Sequence, residues 1–216
     1  MECALKPYGE FGFLAQRLSE RDRLTVLAAA RVELPPGCLE SIAGFDSVLF
    51  VFAKPTPAKV LELWLRRAEI DVVESVSKKS VLEVPVTYDG ADLELVAGHT
   101  GLTVSAIIKL HSAPVYTVRM MGFTPGFPYL DGLDERLQIP RKASPRIRID
   151  PGSVAIGGPH AGIYSVASPG GWHLLGCTEL RLFNSEAARE QKWDFEKVFL
   201  LEPGDRLRFK PIDHAH

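Results

Sequence analysis

The chain has 216 residues, 46% of them hydrophobic and 24% charged, and 25 basic against 27 acidic side chains leave a formal net charge of −2. This balance is that of an ordinary globular protein and speaks against a binder of nucleic acid or another polyanion. No apolar run approaches the ~18 residues of a membrane span, and the first residues lack the basic-then-apolar order of a secretory signal. Cys3, Cys38 and Cys177 lie far apart without a CxxC, which argues against a disulfide framework or a zinc cluster. A cytoplasmic protein is expected.

In chain order, Cys3 to Leu18 suits one or two short strands around a turn at Pro7 to Gly9. Glu20 to Leu34 has helical spacing and is stopped by Pro35-Pro36-Gly37. Cys38 to Ala43 and Ser47 to Ala53 read as an antiparallel pair. Thr56-Pro57 opens a helix that reaches about Glu69, with the Thr56 hydroxyl as cap. These elements predict a small α+β domain, with a ferredoxin-like arrangement as the nearest match. The patternless segment Val72 to Ser80 marks the boundary, giving domains 1–77 and 78–216. VLEVPVTYD then reads as a strand in which Pro85 demands an edge or bulge. Two short helices follow, Ala91 to Gly98 and Thr103 to Leu110, the second capped by Thr103. From Val115 onward strands alternate with Gly/Pro turns (VYTVRMMGF, RIRID, SVAIGG, GIYSVA, WHLLGC, LRLF, VFLL and RLRFKPI), a pattern that predicts an all-β barrel or sandwich.

The unusual stretch is Gly122 to Thr178. It packs GFTPGFPYL, PRKASPR, PGSVAIGG, GIY, SPGGW and GCT into a short span. Gly reaches backbone angles closed to other residues and Pro fixes its own, so this text predicts irregular loops held in one shape, where binding and catalysis concentrate. Phe127-Pro128 is a candidate cis peptide. Arg141 and Arg146 in PRxxxPR read in two ways: as solvated arginines at strand ends, or as two guanidinium groups aimed at one carboxylate of a small anionic substrate. Ser168-Pro169-Gly170-Gly171-Trp172 reads as a plain turn or as a nest of backbone N–H groups facing an oxyanion. His111 is either a helix-terminal histidine favoured by the dipole or a neutral imidazole that moves protons beside the loops. Cys177 has no activating base beside it in the sequence. The six histidines (99, 111, 160, 173, 214, 216) lack metal-ligand spacing, so no metal is expected. A Walker-type phosphate loop, GxSxG and HExxH are all absent.

The run from Leu110 to Thr178, together with KPYGEFGFL near the start and LEPGDRLRFKPI near the end, resembles the family that holds the B subunit of 5-oxoprolinase, the KipI kinase inhibitor and allophanate hydrolase subunit 1. The resemblance implies a small N-terminal α+β domain followed by a cyclophilin-like β-barrel. It also implies a homologous partner barrel, the KipA-like C subunit of 5-oxoprolinase, and a third partner, the A subunit. Together these would open the lactam of 5-oxoproline with ATP and yield glutamate, ATP belonging to the assembled complex and no cofactor to this chain alone. The chain would be inactive by itself. The resemblance also admits a KipI-like inhibitor of histidine-kinase autophosphorylation, or a carboxyltransferase-like subunit of urea or allophanate metabolism. Carried onto this sequence, it places His111 and Tyr116 as catalytic residues. Substrate contacts would come from Arg141, Arg146, Gly126, Phe127, Pro128, Tyr129, Ser153, Tyr164, the Ser168 to Trp172 loop and Thr178. Two departures stand out: Gly176-Cys177-Thr178 where the family commonly reads GRT, and an insertion from Ser185 to Lys197 carrying Trp193 and Phe195.

Overall fold

A computed structural model describes residues 3–71, 80–192 and 194–212. The chain divides into two compact units, Met1–Lys78 and Lys79–His216. The segment expected to hold the boundary falls almost wholly outside the described residues, as does Trp193 of the insertion.

The first unit comprises β1 (Ala4–Tyr8), β2 (Gly12–Gln16), α1 (Glu20–Val32), β3 (Cys38–Ala43), β4 (Val48–Phe52) and α2 (Ala58–Asp71). Its strands lie in the order β1-β2-β4-β3 and all pair antiparallel. Ser19 caps α1 by accepting from the Asp22 N–H at 3.1 Å, and Gly37 takes a left-handed φ of +79° in the turn that follows. The Thr56 hydroxyl does not cap α2. It donates to the Lys54 carbonyl at 2.9 Å, and the helix begins one residue later than expected. Val48, Phe50 and Phe52 alternate into a core closed by Val26, Leu27, Leu61 and Leu65 from the helices. The element order is β-β-α-β-β-α, so the β-α-β-β-α-β succession of a ferredoxin-like domain is met only with its last strand moved to the front. Residue patterns report which elements exist but carry no record of which strand lies at the sheet edge.

The second unit is built on a seven-stranded sheet. It contains β5 (Leu82–Val86), α3 (Leu93–Thr100), α4 (Val104–Ser112), β6 (Tyr116–Met121), β7 (Pro128–Asp131), β8 (Arg146–Ile149), β9 (Ser153–Gly157), β10 (His160–Ile163), β11 (Ser168–Gly170), β12 (His173–Cys177), α5 (Phe195–Val198) and β13 (Arg206–Pro211). The sheet order is β12-β9-β10-β7-β6-β13-β5, while β8 and β11 form a separate ribbon. Pro85 lies on β5 at the end of that order, as a strand proline should. β5 pairs with β13 in parallel and every other pair in the sheet is antiparallel.

The sheet then nearly closes on itself. Past β5 the chain runs along β12, where Thr87 and Cys177 exchange both backbone hydrogen bonds at 2.9 Å and the N–H groups of Gly90 and Asp92 reach the carbonyls of Leu175 and Leu174 at 3.1 Å. Glycine is required along this seam. A Cβ on Gly176 would overlap the Thr87 backbone, and one on Gly90 the backbone of Leu174 and Leu175. Inside the barrel lie Val84, Val118, Leu130, Val154, Ile156, Ala161, Ile163, Leu175, Leu207 and Phe209, all but completely buried. Each large one contributes roughly 1.5–3 kcal/mol through burial.

Four expectations about this unit need correction. Pro128–Asp131, read as loop, is a strand in the middle of the sheet, and the Phe127–Pro128 bond is trans. LRLF and VFLL do not form strands. They meet only at an isolated bridge between Phe183 and Phe199, and Val198 closes a short helix. The SPGGW loop contributes β11 rather than a plain turn.

Candidate functional site

Strand alternation gives the barrel wall two different faces. On β9, Val154 and Ile156 enter the main core, while Ala155 and Gly157 point the other way. On β10, Ala161 and Ile163 point inward and Gly162 outward; on β7, Leu130 points inward and Tyr129 outward. Against that outward face a second cluster assembles from Phe127, Ile149, Ala155, Tyr164 and Trp172, with Tyr129 and Leu174 packed beside it. Trp172 lies across the two glycines. A Cβ on Gly157 would come within 2.7 Å of its ring, and one on Gly162 within 2.9 Å of Trp172 and 2.8 Å of Phe127. The rings meet edge to face, Phe127 to Tyr129 at 5.1 Å, to Tyr164 at 5.2 Å and to Trp172 at 5.4 Å between centroids.

Two groups carry this cluster to the surface. Phe123 is 57% exposed, yet its ring meets Phe127 at 5.6 Å and Tyr164 at 6.4 Å. Its φ of +65° is a rare one for a bulky residue, a strain of the sort that gathers at binding sites. The Arg141 guanidinium sits 5.5 Å from the centroid of the Trp172 ring, and no carboxylate among the described residues pairs with it in the ion pairs seen.

Arg146 has a different position from Arg141. Its Nη2 donates at 2.8 Å to Oδ1 of Asp92, an atom that also receives Lys142 Nζ at 2.8 Å. The other Asp92 oxygen accepts from the Leu174 N–H at 2.8 Å. Asp92 is 2% exposed. Burial by itself would raise its pKa, but the hydrogen bonds from Arg146, Lys142 and Leu174 outweigh it and bring the group down to about 2. The two arginines therefore do not form one clamp: Arg146 is committed to an internal carboxylate, and Arg141 faces outward.

His111 lies outside this cluster. It is fully buried in the main core, stacked on Phe209 at 4.4 Å, and its Nδ1 is 2.7 Å from the Tyr88 hydroxyl. Tyr116 donates to the His111 carbonyl at 2.8 Å. Burial lowers the imidazole pKa to about 3 and pushes both tyrosines far up, so all three stay neutral. The glycines of SPGGW do not make an anion nest, since neither Gly170 nor Gly171 takes a positive φ. Gly170 instead leaves room for the Tyr164 hydroxyl, and the Gly171 carbonyl accepts from the Lys142 N–H at 2.7 Å. The Tyr164 hydroxyl pKa is raised by burial, with a hydrogen bond from the Trp172 backbone opposing.

The remaining predicted residues serve the frame. Gly126, at φ +78°, turns the chain into β7 where a Cβ would meet Phe183 at 2.9 Å, and Pro128 is the buried first residue of that strand. Ser153 donates to the Asp150 carbonyl at 2.8 Å, and Thr178 hydrogen-bonds through its N–H to Gly152 at 2.9 Å. Ser168 is buried on β11 and Pro169 is exposed beside it. Cys177 is exposed on the seam with Sγ 3.7 Å from Asp89; burial, then Asp89, raises its thiol pKa. Asp92 and Lys142 were not singled out from the sequence. Asp92 reads there as an ordinary helix-start aspartate, and nothing in the text links it to partners fifty residues on. Among the described residues no group of three His, Cys, Asp or Glu could hold a metal ion.

With this geometry in place, comparison with known proteins gives a consistent answer. The family described as carboxyltransferase domain, subdomain C and D, matches residues 5–193. The chain is 39% identical over 202 residues to a protein of Escherichia coli O157:H7 named as the B subunit of 5-oxoprolinase, covering 90% of this chain and 87% of the other. A protein of the same name from Haemophilus influenzae is 42% identical over 189 residues, covering 84% and 83%. The crystal structure of TTHA0988 superposes with a TM-score of 0.78 at 33% identity, over 94% of this chain and 40% of that one. The chain thus spans less than half of that structure.

Proposed function

Because the chain belongs to the carboxyltransferase-domain family, subdomains C and D, we propose that it is the B subunit of a bacterial 5-oxoprolinase, a complex that hydrolyses 5-oxoproline to glutamate using ATP. The observation that carries this reading is the likeness, over most of both chains, to proteins of that name. In this reading the seven-stranded sheet is the cyclophilin-like barrel of the family, the chain works in the cytoplasm with its A and C subunits, and it has no turnover alone. No single helix among the described residues is long and apolar enough to cross a membrane.

A lactam carbonyl is stabilised by resonance, so opening it at neutral pH calls for activation of the oxygen, for example by phosphorylation, and donors for the charge that develops there. Phe123, 57% exposed on top of the buried aromatic cluster, is suited to lie against the small ring. Arg141, over Trp172 at the rim of the cluster, is suited to the substrate carboxylate. Arg146 is assigned to holding the loop. His111, buried and neutral with a pKa near 3, is unsuited to take up a proton at pH 7 and is assigned to the core, as is Tyr116.

The test is ATP-dependent glutamate release from 5-oxoproline by this chain mixed with its cognate A and C subunits, each omitted in turn. Turnover should require this chain. Arg141→Ala removes a charge-assisted contact of roughly 1.5–3 kcal/mol, so KM should rise about 10- to 100-fold with little loss of stability. Equal turnover without this chain, or none from a correctly assembled complex, would refute the proposal.

A further inference from the structure

Asp92 stands at the N-cap of α3, yet its side chain makes no capping hydrogen bond to that helix. An aspartate there ordinarily stabilises its helix by accepting from the first turn. Here both carboxylate oxygens are turned elsewhere, Oδ1 to Lys142 and Arg146 and Oδ2 to the Leu174 N–H. The placement follows from the closure of the barrel, because the segment that runs along β12 from Thr87 delivers Asp92 directly opposite Leu174.

Lys142 and Arg146 bracket one side of the Pro140 to Arg146 loop, and Arg141 is the immediate neighbour of Lys142. The same loop is tied to the strand after Trp172 by His173 Nε2 at 2.8 Å from the Pro140 carbonyl, and to the residue before Trp172 by the Lys142 N–H donating to Gly171 at 2.7 Å. These tethers therefore fix the loop relative to Trp172. What remains untethered is the Arg141 guanidinium above the ring.

We infer that Asp92 is the positioning residue of this site: a buried carboxylate, shared by Lys142 and Arg146, that holds the loop so that Arg141 stands over Trp172 to receive the carboxylate of the substrate. Asp92 touches no substrate and acts through Arg141. The part of this inference that concerns substrate rests on the 5-oxoprolinase reading; the part that concerns Arg141 and Trp172 does not.

The experiment combines a kinetic cycle with a direct view of the ring. In the assembled complex, Asp92→Asn, nearly isosteric but uncharged, should raise KM for 5-oxoproline about 10-fold with kcat changed much less, and Lys142→Met should do so to a smaller extent. The decisive quantity is coupling. If Asp92 works through Arg141, adding Asp92→Asn to Arg141→Ala should raise KM no further, whereas two independent effects would multiply. In the full-length chain alone, the indole N–H resonance of Trp172, labelled with 15N, should move in Asp92→Asn and in Arg141→Ala toward a common position. Multiplying KM effects, or an unmoved Trp172 resonance in a folded Asp92→Asn chain, would overturn the inference. If the wild-type complex releases no glutamate, the enzyme reading falls, and the Trp172 resonance still decides the role of Asp92.

Discussion

Replacing Gly157 by alanine adds one methyl group to the molecule, and the structure says where it goes. The new Cβ would lie 2.7 Å from Cγ of Trp172 and 2.8 Å from both Cδ atoms, nearer than real Cβ contacts allow. These atoms belong to the root of the indole, so the clash cannot be relieved by swinging a flexible tip. Trp172 is 4% exposed, with Phe127 packed against it and Arg141 over its ring, and has little room to retreat. Overpacking of this kind costs about 1–3 kcal/mol. At 2–4 °C per kcal/mol for a chain of this length, a middle value of about 2 kcal/mol lowers Tm by about 4–8 °C. The neighbouring glycine supplies the control. Gly158 has φ +60° with nothing within 4 Å of its missing Cβ, so alanine there costs about 1 kcal/mol through backbone strain alone. Thermal melts followed by near-ultraviolet circular dichroism separate the two. Gly157→Ala should lower Tm and change the tryptophan bands of the folded state, whereas Gly158→Ala should lower Tm with those bands intact. An unchanged Tm and unchanged bands in Gly157→Ala would refute the argument that Trp172 is seated on this glycine.

Further outcomes follow from the buried and exposed titratable groups. His111 is neutral when folded, with a pKa lowered to about 3 by burial, while the unfolded chain takes up the proton below its ordinary value of about 6.5. Stability should therefore fall as pH drops below about 6.5, by up to about 1.4 kcal/mol per pH unit from this group; urea unfolding of His111→Phe should show a shallower slope between pH 6 and 4 than wild type. Asp92 has the same sign in a lower window, since its depressed pKa adds stability above the ordinary carboxylate range that is lost as pH falls through about 2. Asp92→Asn should thus be destabilised at pH 7 by an amount on the order of 2 kcal/mol, with the difference closing in strong acid. Cys177, its thiol pKa raised by burial and by Asp89, should react with iodoacetamide at pH 8 more slowly than a free thiol, and Asp89→Asn should speed that reaction.

The elements themselves were largely legible in the residues. The helices starting at Glu20 and Thr103 and the strands around Phe50 and Val154 match their predicted bounds within a residue or two, and the edge strand carrying Pro85 ends three residues early, because period, caps and prolines act locally. The stretch from Gly122 to Thr178 also declared itself, since so many glycines and prolines among aromatics have a packing reason: Gly157 and Gly162 seat Trp172, and Gly170 admits Tyr164. Pro128–Asp131 was hidden because its flanking Gly and Pro look like loop text, yet partners on both sides supply the hydrogen bonds that make it a strand.

Only the tertiary structure could separate the two arginines. Arg141 and Arg146 are alike in sequence, and their difference comes from a carboxylate about fifty positions away that the closing barrel carries to Leu174. The same holds for His111, which the sequence allowed to be either a helix-end histidine favoured by the dipole or a proton carrier beside the loops until Phe209 and Tyr88 were seen to enclose it. Local chemistry selected the kinds of residue in the site; burial and pairing, which depend on contacts between distant segments, decided which of them remain available to a ligand.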